Sequence, residues 1–228
     1  MIHETSLSLT LDAANEAAFD ERTLSPAEQK TITRWIVSRQ GLPGAYADTF
    51  AGFPGELKTG ILVFTGERIT SASARHILGE ESSRVLRLLN VRDSSVQAAL
   101  ERANSGLMNC LARAALDPRN TNPGKYCCGK CSVGLWRNLL SGGLDRQEER
   151  LRKGVGGLLP RYRAGEGKWR VFPFWYTVLA LVEIDLPEAR RELEYAAPVL
   201  ERTATRGTPT SLHGKRRQAL ARRALGAI

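Results

Sequence analysis

A chain of 228 residues with 42% hydrophobic and 25% charged side chains has the composition of an ordinary globular protein and the length for one sizeable core. Its longest apolar stretch, Val171 to Ile184, is too short for a membrane span and is broken by Pro173 and Glu183. Met1-Ile2-His3-Glu4 lacks the basic flank and apolar block of a secretion signal, so a cytoplasmic chain is expected. The net charge of +9 is carried by the end of the chain: from Arg202 onward seven basic residues, Lys215, Arg216, Arg217, Arg222 and Arg223 among them, occur with no acidic one. The body is nearly neutral, which argues against a broad nucleic-acid-binding face and leaves the tail as the one basic feature.

In chain order, Leu7, Leu9 and Leu11 alternate with polar residues and predict a short edge strand or an arm lying on the body. A helix follows over Pro26 to Gln40, with Ser25 as its cap, Pro26 in the first helical position and Gly41 as its stop. Gly41 to Gly55 is rich in Gly, Pro and aromatic residues, including Tyr46, Phe50 and Phe53, and predicts a packed loop. A short helix is expected around Glu56 to Phe64.

From residue 72 onward the chain repeats a helix pair. The windows 85–107, 136–158 and 178–200 align without a gap. Val85, Trp136 and Val178 correspond, as do Leu100, Leu151 and Leu193, and Leu107, Leu158 and Leu200. A small residue stands between the last two positions in each copy, at Ala103, Gly154 and Ala196. Units of this kind stack, because one pair cannot cover its own apolar face. The predicted pairs are Ala72 to Leu89 with Ser94 to Ala115, Lys125 to Leu140 with Asp145 to Arg163, and Phe172 to Ile184 with Pro187 to Arg202. Asp145 is the expected cap of its helix, and Pro160 is expected to kink or shorten the last turn. In the second and third pairs the first helix is apolar nearly all round and the second is one-sided. First helices are therefore expected inside and second helices outside. The lead-ins Gly66–Ile77, Pro118–Cys131 and Gly165–Tyr176 would gather at one rim, a natural place for a binding site.

The third lead-in ends Gly167-Lys168-Trp169 and runs into an aromatic helix start, Phe172-Pro173-Phe174-Trp175-Tyr176. This resembles the Gly-x-Trp ending of the repeat motif of terpenoid cyclases and protein prenyltransferases, with Arg163 where their glutamine stands. The resemblance spans about residues 72–202 and implies an α/α-hairpin fold. The Asp-rich acid and metal-diphosphate motifs of those enzymes are not present, so the resemblance does not carry their chemistry. Three hairpins are also half of the six that close such a toroid.

The chemically distinctive stretch is Tyr126-Cys127-Cys128-Gly129-Lys130-Cys131. On a helix start Cys127 and Cys131 share a face and Cys128 lies close to it. Three readings stand: a metal site, reactive or redox thiols, and cysteines that simply pack. His76 and Cys110 are the further donors available to a zinc ion. Glu80 could support His76 as a buried carboxylate, or could serve the helix dipole. Arg75 and Lys125 could lower thiol pKa values or bind an anion, and Trp169, Phe174, Trp175 and Tyr176 could floor a cleft or fill a hairpin corner.

The sequence thus predicts an all-α protein of stacked antiparallel helix hairpins resembling a partial α/α toroid. Residues 1–70 form an arm and helical extension, 71–202 the hairpin domain and 203–228 a basic helix or tail. The expected function is a binding or accessory domain for a small apolar ligand or a protein partner. Its rim would carry Arg75, His76, Glu80, Lys125, Tyr126, Trp169, Phe174, Trp175 and Tyr176, with His76, Cys127, Cys128 and Cys131 as the metal donors. An enzyme of the prenyltransferase or terpenoid cyclase class using a metal or a reactive thiol is the alternative. A nucleic-acid binder acting through its tail is a third class, and an open array would leave edges for a homo-oligomer.

Overall fold

The computed structural model describes residues 2–117 and 124–228. The fold is all-α. Its helices are α1 (Leu7–Phe19), α2 (Pro26–Val37), α3 (Pro54–Thr59), α4 (Ala72–Leu89), α5 (Ser94–Leu116), α6 (Gly129–Leu140), α7 (Gln147–Leu151), α8 (Phe174–Glu183), α9 (Pro187–Ala204) and α10 (Leu212–Leu225). Two small antiparallel hairpins interrupt them: β1 (Ile61–Leu62) with β2 (Arg68–Ile69), and β3 (Arg163–Gly165) with β4 (Lys168–Trp169). No helix among the described residues is long and apolar enough to cross a membrane.

Three helices form an inner row. α6 lies between α4 and α8, packing on both. All three run the same way: Ser73 meets Cys128 where α4 and α6 begin, and Arg87 meets Ser141 where they end. Likewise Gly129 of α6 abuts Val171 and Phe172, while Arg137 further on pairs with Glu183 at the end of α8. The row is buried on every side, from Ile77 to Leu86 in α4, Cys131 to Leu139 in α6 and Tyr176 to Leu181 in α8. α5 and α9 bury one stripe each and expose their charged backs. The ends of the row are covered within the chain, by α1 and α2 against α4 and by α10 against α8 and α9. Leu7, Ile32, Leu139 and Leu220 belong to one continuous apolar core. The row's ends are therefore not the free edges expected for a second copy.

The charged residues of this row are tied to one another. Arg137 is fully enclosed, its guanidinium bonded to Glu81 and, at 2.8 Å through both Nε and Nη2, to Glu183. Arg84 donates to Glu183 at 2.8 Å and to Asn15 at 2.7 Å, and the Tyr176 hydroxyl donates to Glu81 at 2.6 Å. Buried charges persist only when paired and hydrogen-bonded in this manner.

Several sequence expectations are corrected. Leu7 to Leu11 is the start of α1 rather than a strand: Ser6 caps it, Glu56 accepts from the amides of Leu7 and Ser8, and Leu9 points outward. The short helix expected at Glu56 to Phe64 ends at Thr59, and Gly60 leads into β1. The outer helix of the second pair is not continuous. α7 gives way to a π-helical stretch at Arg152–Leu158 and a 3₁₀ turn at Leu159–Tyr162. The glycines at 154, 156 and 157 weaken an α-helix there, and Pro160 falls in the 3₁₀ turn. Asp145 does not cap α7; the N-cap is Arg146, and Asp145 holds Arg150 at 2.7 Å. The basic tail is a packed helix. Arg216 is buried and pairs with Asp12 and Glu16, Arg217 donates to the Thr65 carbonyl, and Arg223 covers the Phe19 ring.

Candidate metal and thiol site

The site lies where α4 and α6 begin side by side. The turn before α6 brings Tyr126, Cys127 and Cys128 to the first turn of α4, where Ser73 and His76 face them. One ligand atom each from His76, Cys127 and Cys131 lies within 4.8 Å of the others, the one such group of three or more metal-ligating side chains among the described residues. Cys128 adjoins it, with its Sγ 3.5 Å from that of Cys131 and 3.4 Å from the Ser73 hydroxyl. All four cysteines are free thiols.

The environment of each donor differs. Cys131 is sealed at 0% exposure, whereas Cys128 is half-buried and Cys127 exposed. Cys128 is the N-cap residue of α6. Hydrogen bonding from Cys131 and Ser73, with the amides of Cys131 and Lys130, brings its thiol down to about 4, since donors that favour the charged form lower a pKa. Cys131 is held well above the usual thiol range by its bond to Cys128 and by burial. Burial lowers the His76 pKa and so favours the neutral ring, the form that ligates metal. Its Nδ1 is buried and has no hydrogen-bond partner. Buried polar atoms are rarely left so.

An aromatic wall backs the imidazole. Tyr46 stacks on His76 with ring centroids 3.8 Å apart, and Tyr126 lies 5.8 Å away on another side. The two tyrosine hydroxyls bond each other. Both phenols are raised well above the usual value, chiefly by burial. One turn below His76, Glu80 is fully enclosed; it accepts from Asn138 at 2.6 Å and burial pushes it up to about 8. Its other oxygen has no partner. Cys110, offered by the sequence as a further ligand, is not in the cluster. It interacts with Tyr46 and lies 2.9 Å from Arg113 Nη2.

The remaining rim residues divide. Arg75 is exposed, and Lys125 sits half-buried with its charge acting on Cys127. Trp169 stacks on Phe174 and donates its indole N–H to Glu192 at 2.7 Å, so it closes the corner against α9. Gly167, at φ +76°, makes the tight turn before it and passes close to Tyr195 and Ala196. Phe174 and Trp175 pack edge to face, and the amides of Trp175 and Tyr176 donate to Glu67. Tyr176 points inward to Glu81 rather than into a cleft at the rim. The aromatic set of the third lead-in therefore fills a corner, and the thiol and imidazole donors meet without it. The Pro118–Cys131 lead-in is described only from Gly124 onward; its residues 118–123 lie outside the described residues. The sequence reading missed Ser73 and, above all, Tyr46. The one signal for Tyr46 was its place in a Gly- and Pro-rich stretch too aromatic for a solvated loop.

Comparison with known proteins gives no matching family model, curated protein or solved structure.

Proposed function

We propose that this chain is a helical-hairpin binding or accessory domain whose active pole is organised by a zinc ion. His76, Cys127 and Cys131 supply three donors and Cys128 the fourth. The observation that carries this reading is the convergence of the His76 imidazole, whose buried Nδ1 has no hydrogen-bond partner, with two thiols. Thiolate and imidazole in fourfold coordination are the donors zinc prefers. The chain supplies the supporting parts: Tyr46 fixes the ring plane of His76 by stacking, and Ser73 holds Cys128. Such outer contacts orient ligands and tune their basicity. Cys127 is the exposed donor, so a partner would meet the centre from that side. The resemblance to the terpenoid cyclase and prenyltransferase hairpins belongs to this proposal as a likeness of architecture.

Zinc content of protein purified without chelator tests the reading. One zinc per chain is expected, lost in His76→Ala and Cys131→Ser, with cobalt substitution giving the thiolate charge-transfer absorption of a sulfur-rich site. Protein that carries no zinc, takes up none, and melts at the same temperature with or without it would overturn the reading.

A further inference from the structure

We propose that Cys128 and Cys131 are a modification site: a dithiol that peroxides convert to a reversible disulfide, withdrawing both sulfurs from the zinc donor set. The bond formation stands on the dithiol geometry alone; the release of metal rests on the zinc reading above.

Three observations point to this pair. The two sulfurs are 3.5 Å apart across Gly129 and Lys130, so a small movement joins them. Their exposure is unequal: Cys128 is half-buried at the start of α6 and open to a small oxidant, while Cys131 is closed off beneath it. That asymmetry assigns the roles of attacking and resolving sulfur. Cys128 also stands outside the regular helix, as the N-cap of α6 in extended backbone, with the Ser73 hydroxyl and the Cys131 sulfur beside its own. Cys127 is more exposed and its sulfur lies within 4.8 Å of that of Cys131, so it is the competing partner that the variants below distinguish.

The chemistry balances with hydrogen peroxide as the named oxidant. The Cys128 thiolate attacks one peroxide oxygen, the O–O bond breaks, hydroxide leaves and a sulfenic acid forms. The Cys131 thiol then displaces that oxygen as water, and the S–S bond closes. Each sulfur gives up one electron to the bond, and the peroxide is reduced by two. A thiol reductant reverses the change.

The test uses the full chain, reduced and loaded with zinc, treated with a slight excess of hydrogen peroxide. Trypsin cuts after Lys130, so the bond joins the peptides 126–130 and 131–137. This linked pair is expected in wild type and in Cys127→Ser, absent in Cys128→Ser and Cys131→Ser, and lost on reduction with dithiothreitol. Zinc should appear in solution in step with the linked pair, read by a chromogenic chelator. A linked pair that survives Cys128→Ser but not Cys127→Ser assigns the bond to Cys127 and overturns the proposal. So does wild type that gains only sulfinic acid. A linked pair formed in protein that never held zinc sinks the metal reading and leaves the dithiol standing.

Discussion

Glu80 is a carboxyl side chain sealed from water. With one oxygen bonded to Asn138 and the other unpartnered, it holds a proton at neutral pH. A carboxyl raised from its ordinary 4.5 to about 8 in the fold contributes stability that is full below 4.5 and is lost as pH rises through 8. Glu80→Gln keeps the shape and cannot ionise. Urea unfolding should therefore show wild type losing stability more steeply than the variant between pH 5 and 8, by up to about 1.4 kcal/mol per pH unit. Parallel pH profiles would show that Glu80 does not change its charge on unfolding. Gly154 makes a steric prediction at the same scale. A methyl there would run into the indole of Trp136, whereas one at Gly157 meets nothing. Gly154→Ala should lower stability by about 1–3 kcal/mol, and Gly157→Ala should be neutral or stabilising. Equal melting temperatures for the two variants would contradict the packing described.

At the scale of elements, α4, α6 and α8 are joined by polar ties as much as by apolar packing. Arg137→Ala should leave Glu183 with Arg84 as its paired cation, and Glu81 at a buried site with Tyr176 as a neutral donor and Arg84 at 3.9 Å. It should cost about 3–5 kcal/mol, seen as a large fall in the denaturation midpoint; a small change would mean that water replaces the guanidinium. Glu67 serves α8 from outside it, accepting from the amides of Trp175 and Tyr176 at 2.9 and 2.7 Å. Glu67→Ala should cost about 1–2 kcal/mol and speed hydrogen exchange at those two amides first. How much of this was legible differs by element. The inner helices announced themselves through runs such as Tyr176 to Leu181, which no surface helix carries. α1 did not, because Leu7 and Leu11 satisfy both a strand period and a helix period, and its cap partner Glu56 is far away in sequence. The charge network was illegible for a related reason: Glu81, Arg84 and Arg137 look like solvent-facing residues until three helices converge on them. The candidate donors His76 and Cys127 to Cys131 were readable as residue types. Their convergence depended on α4 and α6 starting together, and the stacking of Tyr46 on the path of a loop.

For the molecule as a whole, α10 is a structural closure. It buries Leu220, Ala221 and Ala224 and neutralises Asp12 and Glu16 of α1 through Arg216. Removing residues 207–228 should therefore broaden and lower the thermal transition instead of leaving the body intact, and Arg216→Ala should reproduce part of the loss. A truncated protein that melts as the full chain does would return α10 to the status of an appendage. The same packing diminishes the nucleic-acid reading. The guanidinium groups of Arg216, Arg217 and Arg223 are engaged by the body, and the charge left to a phosphate backbone is correspondingly smaller.

The common direction of α4, α6 and α8 has an electrostatic consequence. Three sets of amides without partners inside their helices, and the positive ends of three helix dipoles, face one pole of the molecule. At α8 that field is met by the carboxylate of Glu67, and at α6 by the sulfur of Cys128. On the zinc reading proposed above, three thiolates and a neutral imidazole would leave the centre with one net negative charge, which that field would favour. A preference for zinc over magnesium and calcium would then rest on the sulfur donors themselves.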